Sequence, residues 1–441
     1  MKSMLKKVMA LMVTLTMVFT LAACGSKTEK SDDTVSKDKP VEITYATFMV
    51  GSHVSAAAEK EVLDAFNEKY EGKIKVKVEE LPSDDAYVNK MKALAAAGAL
   101  PDVINGKNGL RELAIKNGQA VDVMPLVEAD AEWNKYVGEG AINYSKTEDG
   151  KLYSIANQKQ IVGYFYNKDM FETTGITPAK TWEEFMSNNE KLKEAGFTPL
   201  AMMTGENAWT TNLWLAAMIG TNGDEGNEFM NTNYPDSYDN DLVVNALTMV
   251  QKCLKDYTTP DAIGAIYANA ANNFLQENTA MIANGPWMVP DFTDTSKAKE
   301  GLVDRVGVSL YPNDGVVAQY EIGYVLCTAN KSKEEQEAAL EFLKFKTGKE
   351  AQKIFLEKSG ALPLTANVEI SDEYKAANPL VVDLINLADE AKYGFENMDN
   401  TAHSSVIEEF SLNYPELVYG GITPEEMASK LTQAANKHKE Q

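Results

Sequence analysis

Two short segments carry the side chains that could do chemistry. Asn284-Gly-Pro-Trp287 follows the strand-like run Ala280 to Ala283, and its Gly285-Pro286 turn holds an indole in place. Gly205-Glu206-Asn207-Ala208-Trp209 sets another indole beside donor and acceptor groups. A fixed indole suits the apolar C–H face of a pyranose, whose hydroxyls need Asn, Asp or Glu close by. The second segment also reads as a helix N-terminus, with Asn207 as cap and Trp209 and Leu213 packed inward. Trp133 and Trp182 read as structural. Trp214, five residues beyond Trp209 on a helix that carries Leu213 and Ala217, reads as core.

Catalytic signatures are sparse. The three histidines, His53, His403 and His438, are far apart, so neither a HExxH helix nor a multi-histidine metal site can be built, and no cofactor is expected. GxSxG, GxxxxGK[ST], GxGxxG and EF-hand patterns are absent. A carboxylate pair for glycoside hydrolysis stays open, because 65 acidic residues offer many pairs. The formal charge is -23, with 42 Lys and Arg, only two of them arginine, Arg111 and Arg305. Such an excess repels nucleic acid, and scarcity of the bidentate guanidinium disfavours anionic ligands. Neutral or cationic ligands fit this balance. The composition is globular, 44% hydrophobic over 441 residues, and suits two or three domains.

Before the domains stands an address. Lys2, Lys6 and Lys7 precede an apolar run, Val8 to Leu21, too short to be a settled transmembrane helix, which reads as a secretory signal over 1–23. Leu21-Ala22-Ala23-Cys24, followed by Gly25, resembles the lipobox of bacterial lipoproteins, in which Cys24 is acylated (palmitate among the acyl groups) and becomes the mature N-terminus. The expected location is therefore the outer face of a bacterial cytoplasmic membrane, held by lipid. Residues 24–39 are a polar tether with a single apolar residue, Val35. Cys253 and Cys327 lie in apolar series without CxxC spacing and read as buried free thiols.

From Pro40 onward strand and helix signals alternate. Val41 to Ala46 is β-prone, Ala58, Val62, Phe66 and Tyr70 mark one helix face, and Ile74, Val76 and Val78 alternate with charges, which predicts a βαβ unit. A helix over Ala86 to Ala97, a buried strand at Pro101 to Ile104 and a helix ending near Gly118 follow. Ile161 to Tyr166 predicts a strand, and Thr198 to Met203 another. Thr181-Trp-Glu-Glu184, Ser332-Lys-Glu-Glu335 and Thr423-Pro-Glu-Glu426 predict three capping boxes. The alternation argues for an α/β fold with parallel sheets covered by helices.

Several blocks in fixed order resemble the family 1 extracellular solute-binding proteins: Lys151-Leu-Tyr-Ser154, Gly163-Tyr-Phe-Tyr-Asn-Lys-Asp-Met-Phe171, Lys180-Thr-Trp-Glu-Glu-Phe185 and Glu194-Ala-Gly-Phe-Thr-Pro-Leu200. Phe274-Leu-Gln276, Ala280-Met-Ile-Ala-Asn-Gly-Pro-Trp287, Leu340-Glu-Phe-Leu-Lys344, Lys358-Ser-Gly-Ala-Leu-Pro363 and Gly421-Ile-Thr-Pro-Glu-Glu426 continue it. The resemblance implies a two-lobed, periplasmic-binding-protein-like fold of type II, with mixed sheets flanked by helices and three crossovers. Matching motifs place one lobe at 40–158 plus 323–360 and the other at 163–320 plus 363–441. It further implies a non-catalytic, monomeric sugar-capturing subunit of an ABC importer whose partners are a carbohydrate and the permease subunits. Carried over residue by residue, Trp287 becomes a stacking platform and Glu206 a hydroxyl acceptor with Asn207 and Trp209 beside it. The loop Asn105 to Asn108, Lys107 included, faces them. Phe48 and His53 are further candidates, and Tyr164 is a hinge, cleft or core residue. Where the family often has Gly-Gly-x-Gly at the second crossing, this chain has Tyr320-Glu-Ile-Gly323, so Glu321 either accepts from ligand hydroxyls or stands as a solvated acid. An extracellular glycoside-active enzyme, a binder of cationic or peptide ligands and a sensory receptor subunit remain alternatives.

Overall fold

The computed structural model describes residues 39–437. The signal segment, Cys24, most of the tether and His438 lie outside the described residues. Among the described residues ten strands form two sheets. The first holds β1 (Val41–Thr47), β2 (Ile74–Glu80) and β3 (Val103–Asn105), with β4 (Lys159–Asn167), β5 (Thr198–Ala201), β6 (Thr279–Asn284), β7 (Val306–Ser309) and β8 (Gly315–Tyr320) in the second. The chain then returns β9 (Tyr324–Leu326) to the first sheet and β10 (Tyr393–Phe395) to the second.

The order of the first sheet is β2-β1-β3-β9, and the helix Ala56–Lys69 between β1 and β2 completes the expected parallel βαβ unit. Its periodic residues Ala58, Val62 and Phe66 are buried together with Glu59. β9 enters antiparallel to β3. The second sheet runs β10-β8-β4-β6-β5, with β7 also on β4. Both sheets are mixed, as the family resemblance implies, and not all parallel, as the alternation alone suggested. The long strand β4 is antiparallel to β6, β7 and β8, taking β8 along its first half and β7 and β6 along its second. Strand–helix alternation reports the order of elements along the chain, and it does not report which strand a returning segment pairs with.

Local signals translate with small shifts. The helix expected over Ala86 to Ala97 begins earlier, at Asp84, because Ser83 caps it by accepting the Ala86 N–H at 3.1 Å. Ser332/Glu335 and Thr423/Glu426 form reciprocal capping boxes. The third is half a box: Thr181 Oγ1 accepts the Glu184 N–H, but the Glu184 carboxylate takes the N–H of Lys180 instead of Thr181. Cys253 and Cys327 are buried and free, and burial pushes both thiols up, Cys253 to about 12.

Each sheet packs on helices around its own apolar core. In the first, Lys346 Nζ bonds Glu59 at 2.6 Å, both side chains almost wholly buried, and lies 4.5 Å from the centroid of Tyr45 and 4.7 Å from that of Tyr324. In the second, the helix Trp209–Gly220 is buried all round after its first residue, with Trp214 in the core as expected. Trp133 and Trp182 are buried structural residues, their indole N–H groups donating to Thr347 and Thr221.

The chain passes between the sheets three times, before β4, between β8 and β9, and after Ser359. Leu364 still packs in the first core and Asn367 still bonds the Lys135 carbonyl, so the last passage runs beyond Pro363. The middle passage turns at Gly323. Its φ is +72°, its carbonyl accepts the Gly106 N–H at 2.8 Å, and an added Cβ would lie 2.0 Å from the Ile155 carbonyl oxygen. Left-handed strain plus that overlap should make Gly323→Ala cost about 2 kcal/mol or more. Urea unfolding measures this, and an unchanged midpoint would mean that the passage relaxes freely.

Candidate functional site

Both sheets present loops to a common cleft with a volume of about 610 Å3, within the roughly 300–1,000 Å3 usual for small-ligand sites. Trp287 is the second residue of the short helix Pro286–Phe292 that follows β6, and its indole lies back over Gly285, where a Cβ would meet the ring at 2.4 Å. Only glycine permits that close approach. Trp209, at the start of its buried helix, stands 5.9 Å from Trp287 and 6.0 Å from Tyr267 between ring centroids. All three aromatic rings line the cleft and are partly buried.

Polar groups surround them. Glu206 adopts φ of +50° and Asn108 of +52°, conformations that cost non-glycine residues about 1 kcal/mol or more, and both line the cleft. Glu206 Oε2 accepts the Tyr267 N–H at 3.1 Å, while burial first, then the charges of Asp84 and Asp85, raise its carboxyl above the ordinary value. Glu321 also faces the cleft, its Oε1 accepting from Gln160 Nε2 at 2.6 Å. A relay fixes that geometry: the Asn397 N–H donates to Gln319 Oε1, and Gln319 Nε2 donates to Gln160 Oε1. Asn207 does not cap the helix. Ala208 occupies that position with φ of +55°, and Asn207 Nδ2 donates instead to Asp399 Oδ2 at 3.0 Å.

The other wall comes from β1 and β3. Phe48 is buried edge-on against His53 and Tyr87, with Lys107 Nζ 4.3 Å from its centroid. Lys107 pairs with Asp84 at 2.5 Å. His53 Nδ1 accepts the Ser55 N–H, and burial lowers the imidazole to about 4, so the neutral ring carries its proton on Nε2. Asn105 is almost wholly buried. Its backbone is held by the Tyr87 hydroxyl, and its Nδ2 has no partner. Lys297, the second lysine of the lining, pairs with Asp291 at 2.7 Å.

Of the residues singled out from sequence, Phe48, His53, Asn105, Lys107, Asn108, Glu206, Asn207, Trp209, Trp287 and Glu321 meet in this lining. Tyr164 does not. It lies on β4 in the second core, 5.4 Å from Trp214 and 6.3 Å from Tyr311, because alternation along β4 turns it into the sheet packing. Asp399, Gln160, Gln319, Asn397 and Tyr267 escaped the sequence reading. They stand on short or unmarked segments whose only signal was polarity, and side-chain bonding across the chain aims them. Both arginines are engaged elsewhere, Arg111 with Glu112 and Arg305 with Glu277. Among the described residues no three His, Cys, Asp or Glu groups gather as a metal site.

Comparison with known proteins agrees with this architecture. The multiple sugar-binding protein of Streptococcus mutans is 27% identical over 372 residues, covering 82% of each chain. The sn-glycerol-3-phosphate-binding periplasmic protein UgpB of Rhizobium meliloti is 26% identical over 51% of this chain and 52% of its own. The fold is that of a chitin oligosaccharide binding protein, with TM-score 0.79 and 22% identity over 90% of this chain and 98% of that one. Maltose-bound MalE3 of T. maritima shares it, with TM-score 0.73 and 17% identity over 90% of this chain and all of that one. Residues 61–380 match the family model described as bacterial extracellular solute-binding protein. A two-lobed mixed α/β chain that gathers aromatic and polar loops into one cleft, with that match across most of its length, belongs to the bacterial extracellular solute-binding proteins.

Proposed function

We infer that the solute is a sugar, mono- or oligosaccharide, captured between the lobes and passed to the permease of an ABC importer without chemical change. The observation that carries this is the pairing of Trp209 and Trp287 with two carboxylates that each have one oxygen satisfied by a neutral N–H and the other unengaged. These are Glu206 held by Tyr267 and Glu321 by Gln160. Indole faces take the C–H surface of a pyranose, and oriented acceptors take its hydroxyls. Both lysines of the lining are already paired with acids, which argues against a phosphate-bearing ligand such as that named for UgpB. The names of the sugar-binding relative and of the oligosaccharide-binding neighbours support the same ligand class.

Capture proceeds by lobe closure about the three passages, with lobes at 40–158 plus 323–367 and 163–320 plus the C-terminal remainder. Contacts across the rim suit a closed state: Lys92 with Glu408 at 2.7 Å, Tyr234 with Glu112 at 2.8 Å, and Tyr144 with Glu396. Acylation at Cys24 holds the monomer at the outer face of the membrane, within reach of the permease.

Thermal unfolding of residues 40–441 with a panel of mono- and oligosaccharides tests the reading, with glycerol 3-phosphate, polyamines and short peptides as controls. At about 100 times Kd a ligand adds about 2.7 kcal/mol, enough to raise the midpoint by several degrees. The expected outcome is a rise with one saccharide class and no turnover of it. A rise with glycerol 3-phosphate or a polyamine alone sinks the sugar assignment, and released product from a glycan sinks the non-enzymatic one.

A further inference from the structure

The helix Met398–Thr401 is four residues long, yet several bonds fix it. Asn397 Oδ1 accepts the Asn400 N–H at 3.3 Å, and Asn400 Nδ2 donates to the Tyr320 carbonyl and the Tyr144 hydroxyl at 2.8 Å each. The same Asn397 anchors the relay that positions Glu321. Asp399 is thereby presented to the cleft with little freedom. Its Oδ2 accepts from Asn207 Nδ2, and its Oδ1 is fully buried with no hydrogen-bond partner.

A buried carboxylate oxygen without a donor is costly as an anion and far less so as an acid. The charged groups that face Asp399 come from each neighbouring element. Lys107 follows β3, Asp84 opens the helix Asp84–Ala96, and Glu321 lies on the passage between β8 and β9. Glu396, on its own segment, bonds Tyr144. Lys107 is already paired with Asp84, so the remaining balance around Asp399 is negative. Burial is the largest influence on its carboxyl, Lys107 pulls the other way, Asp84 and Glu321 add to burial, and the group rests at about 7. A ligand closing over the site removes more water and disfavours the anion further.

We propose that Asp399 is a neutral carboxylic acid in the sugar-loaded cleft, so that capture above neutral pH takes up one proton from solvent. This rests on the reading of the cleft as a sugar site. It gives the cleft a division of labour. Glu206 and Glu321 accept from hydroxyls and His53 Nε2–H donates to oxygen, while Asp399 takes up the proton. The sign follows from linkage. A group whose bound-state pKa lies above its free value gives full affinity below the free pKa, and affinity falls as pH rises through it, by up to tenfold per unit until the bound group ionises.

Titration calorimetry of the intact chain with maltotriose, raffinose and N,N′-diacetylchitobiose, from pH 6 to 9 in buffers of different protonation enthalpy, decides it. For a saccharide that binds, uptake should approach one proton at pH 8.5, and affinity should fall at least tenfold between pH 7 and 9. His53, at about 4, titrates below this window. Asp399→Asn should lose the uptake, and its affinity should no longer fall between pH 7 and 9. Uptake in the unaltered chain is decisive whether or not a variant folds. Saccharide binding without uptake at pH 8.5 overturns the Asp399 assignment and leaves the sugar reading standing. Failure of all three saccharides to bind at pH 6, where the acid form prevails, overturns both.

Discussion

Trp287→Ala lowers saccharide affinity about a hundredfold, a loss of about 2.7 kcal/mol, while Trp287→Phe retains most of it. The expectation follows from how the ring is held. Its indole lies over Gly285, stands beside Trp209, and packs on the second core along one edge while it lines the cleft along another. A platform fixed in advance loses little freedom on binding, so its dispersion contact with a sugar face appears almost entirely as affinity. Calorimetry on the two variants checks this, with unfolding of the ligand-free proteins as control. An affinity change under threefold in Trp287→Ala would show the ring to be structural, and attention would then pass to Trp209 and Tyr267.

Glu59→Leu is expected to cost about 3–5 kcal/mol of stability, because it strands Lys346 in the first core. Lys346 is buried among Tyr45, Tyr324 and Phe342, and Glu59 and the Tyr45 hydroxyl are its hydrogen-bond partners. Burial depresses the ammonium below the ordinary lysine range, outweighing the pull of the Glu59 carboxylate. The double change Glu59→Leu with Lys346→Met should restore most of the loss, since removing both charges also removes their desolvation. Urea unfolding of the two single variants and the double variant completes the cycle. If Glu59→Leu alone stays within about 1 kcal/mol of the parent, water must reach Lys346, and the pair is not sealed as described. The cleft lies elsewhere, so saccharide affinity of the folded fraction should not change.

These two residue sets differ in how legible they were. Trp287 announced itself through Asn284-Gly-Pro-Trp287, because a strand end followed by Gly-Pro forces a turn and leaves one large side chain at its tip. Glu59 looked like any first-turn acid of an amphipathic helix. The period sets position 59 beside Val62 and Phe66 on the apolar face, but an acid there reads as solvated until its partner is known, and that partner lies 287 positions away. Helix caps and the first βαβ unit were likewise readable, since they rest on bonds within a few residues or on a single period of burial. Tyr164 shows the opposite error. Alternation along β4 could not say which side of the strand met the cleft, and the strand packs on both.

The sequence by itself therefore determined the local elements, the acidic balance, the scarcity of arginine and the two aromatic loops. These depend on residue type, spacing and total charge, none of which needs a partner far along the chain. Tertiary structure alone decided which strands enter antiparallel and the distances at which the two aromatic loops meet the segments after β1 and β3. It also decided the conversion of Asn207, Gln160 and Tyr267 into supports for three half-satisfied carboxylates. Asp399 depends on it most completely. An acid in a one-turn helix is ordinary in sequence, and it acquires its chemistry only when Asn207, from 192 positions away, takes one oxygen and the fold buries the other.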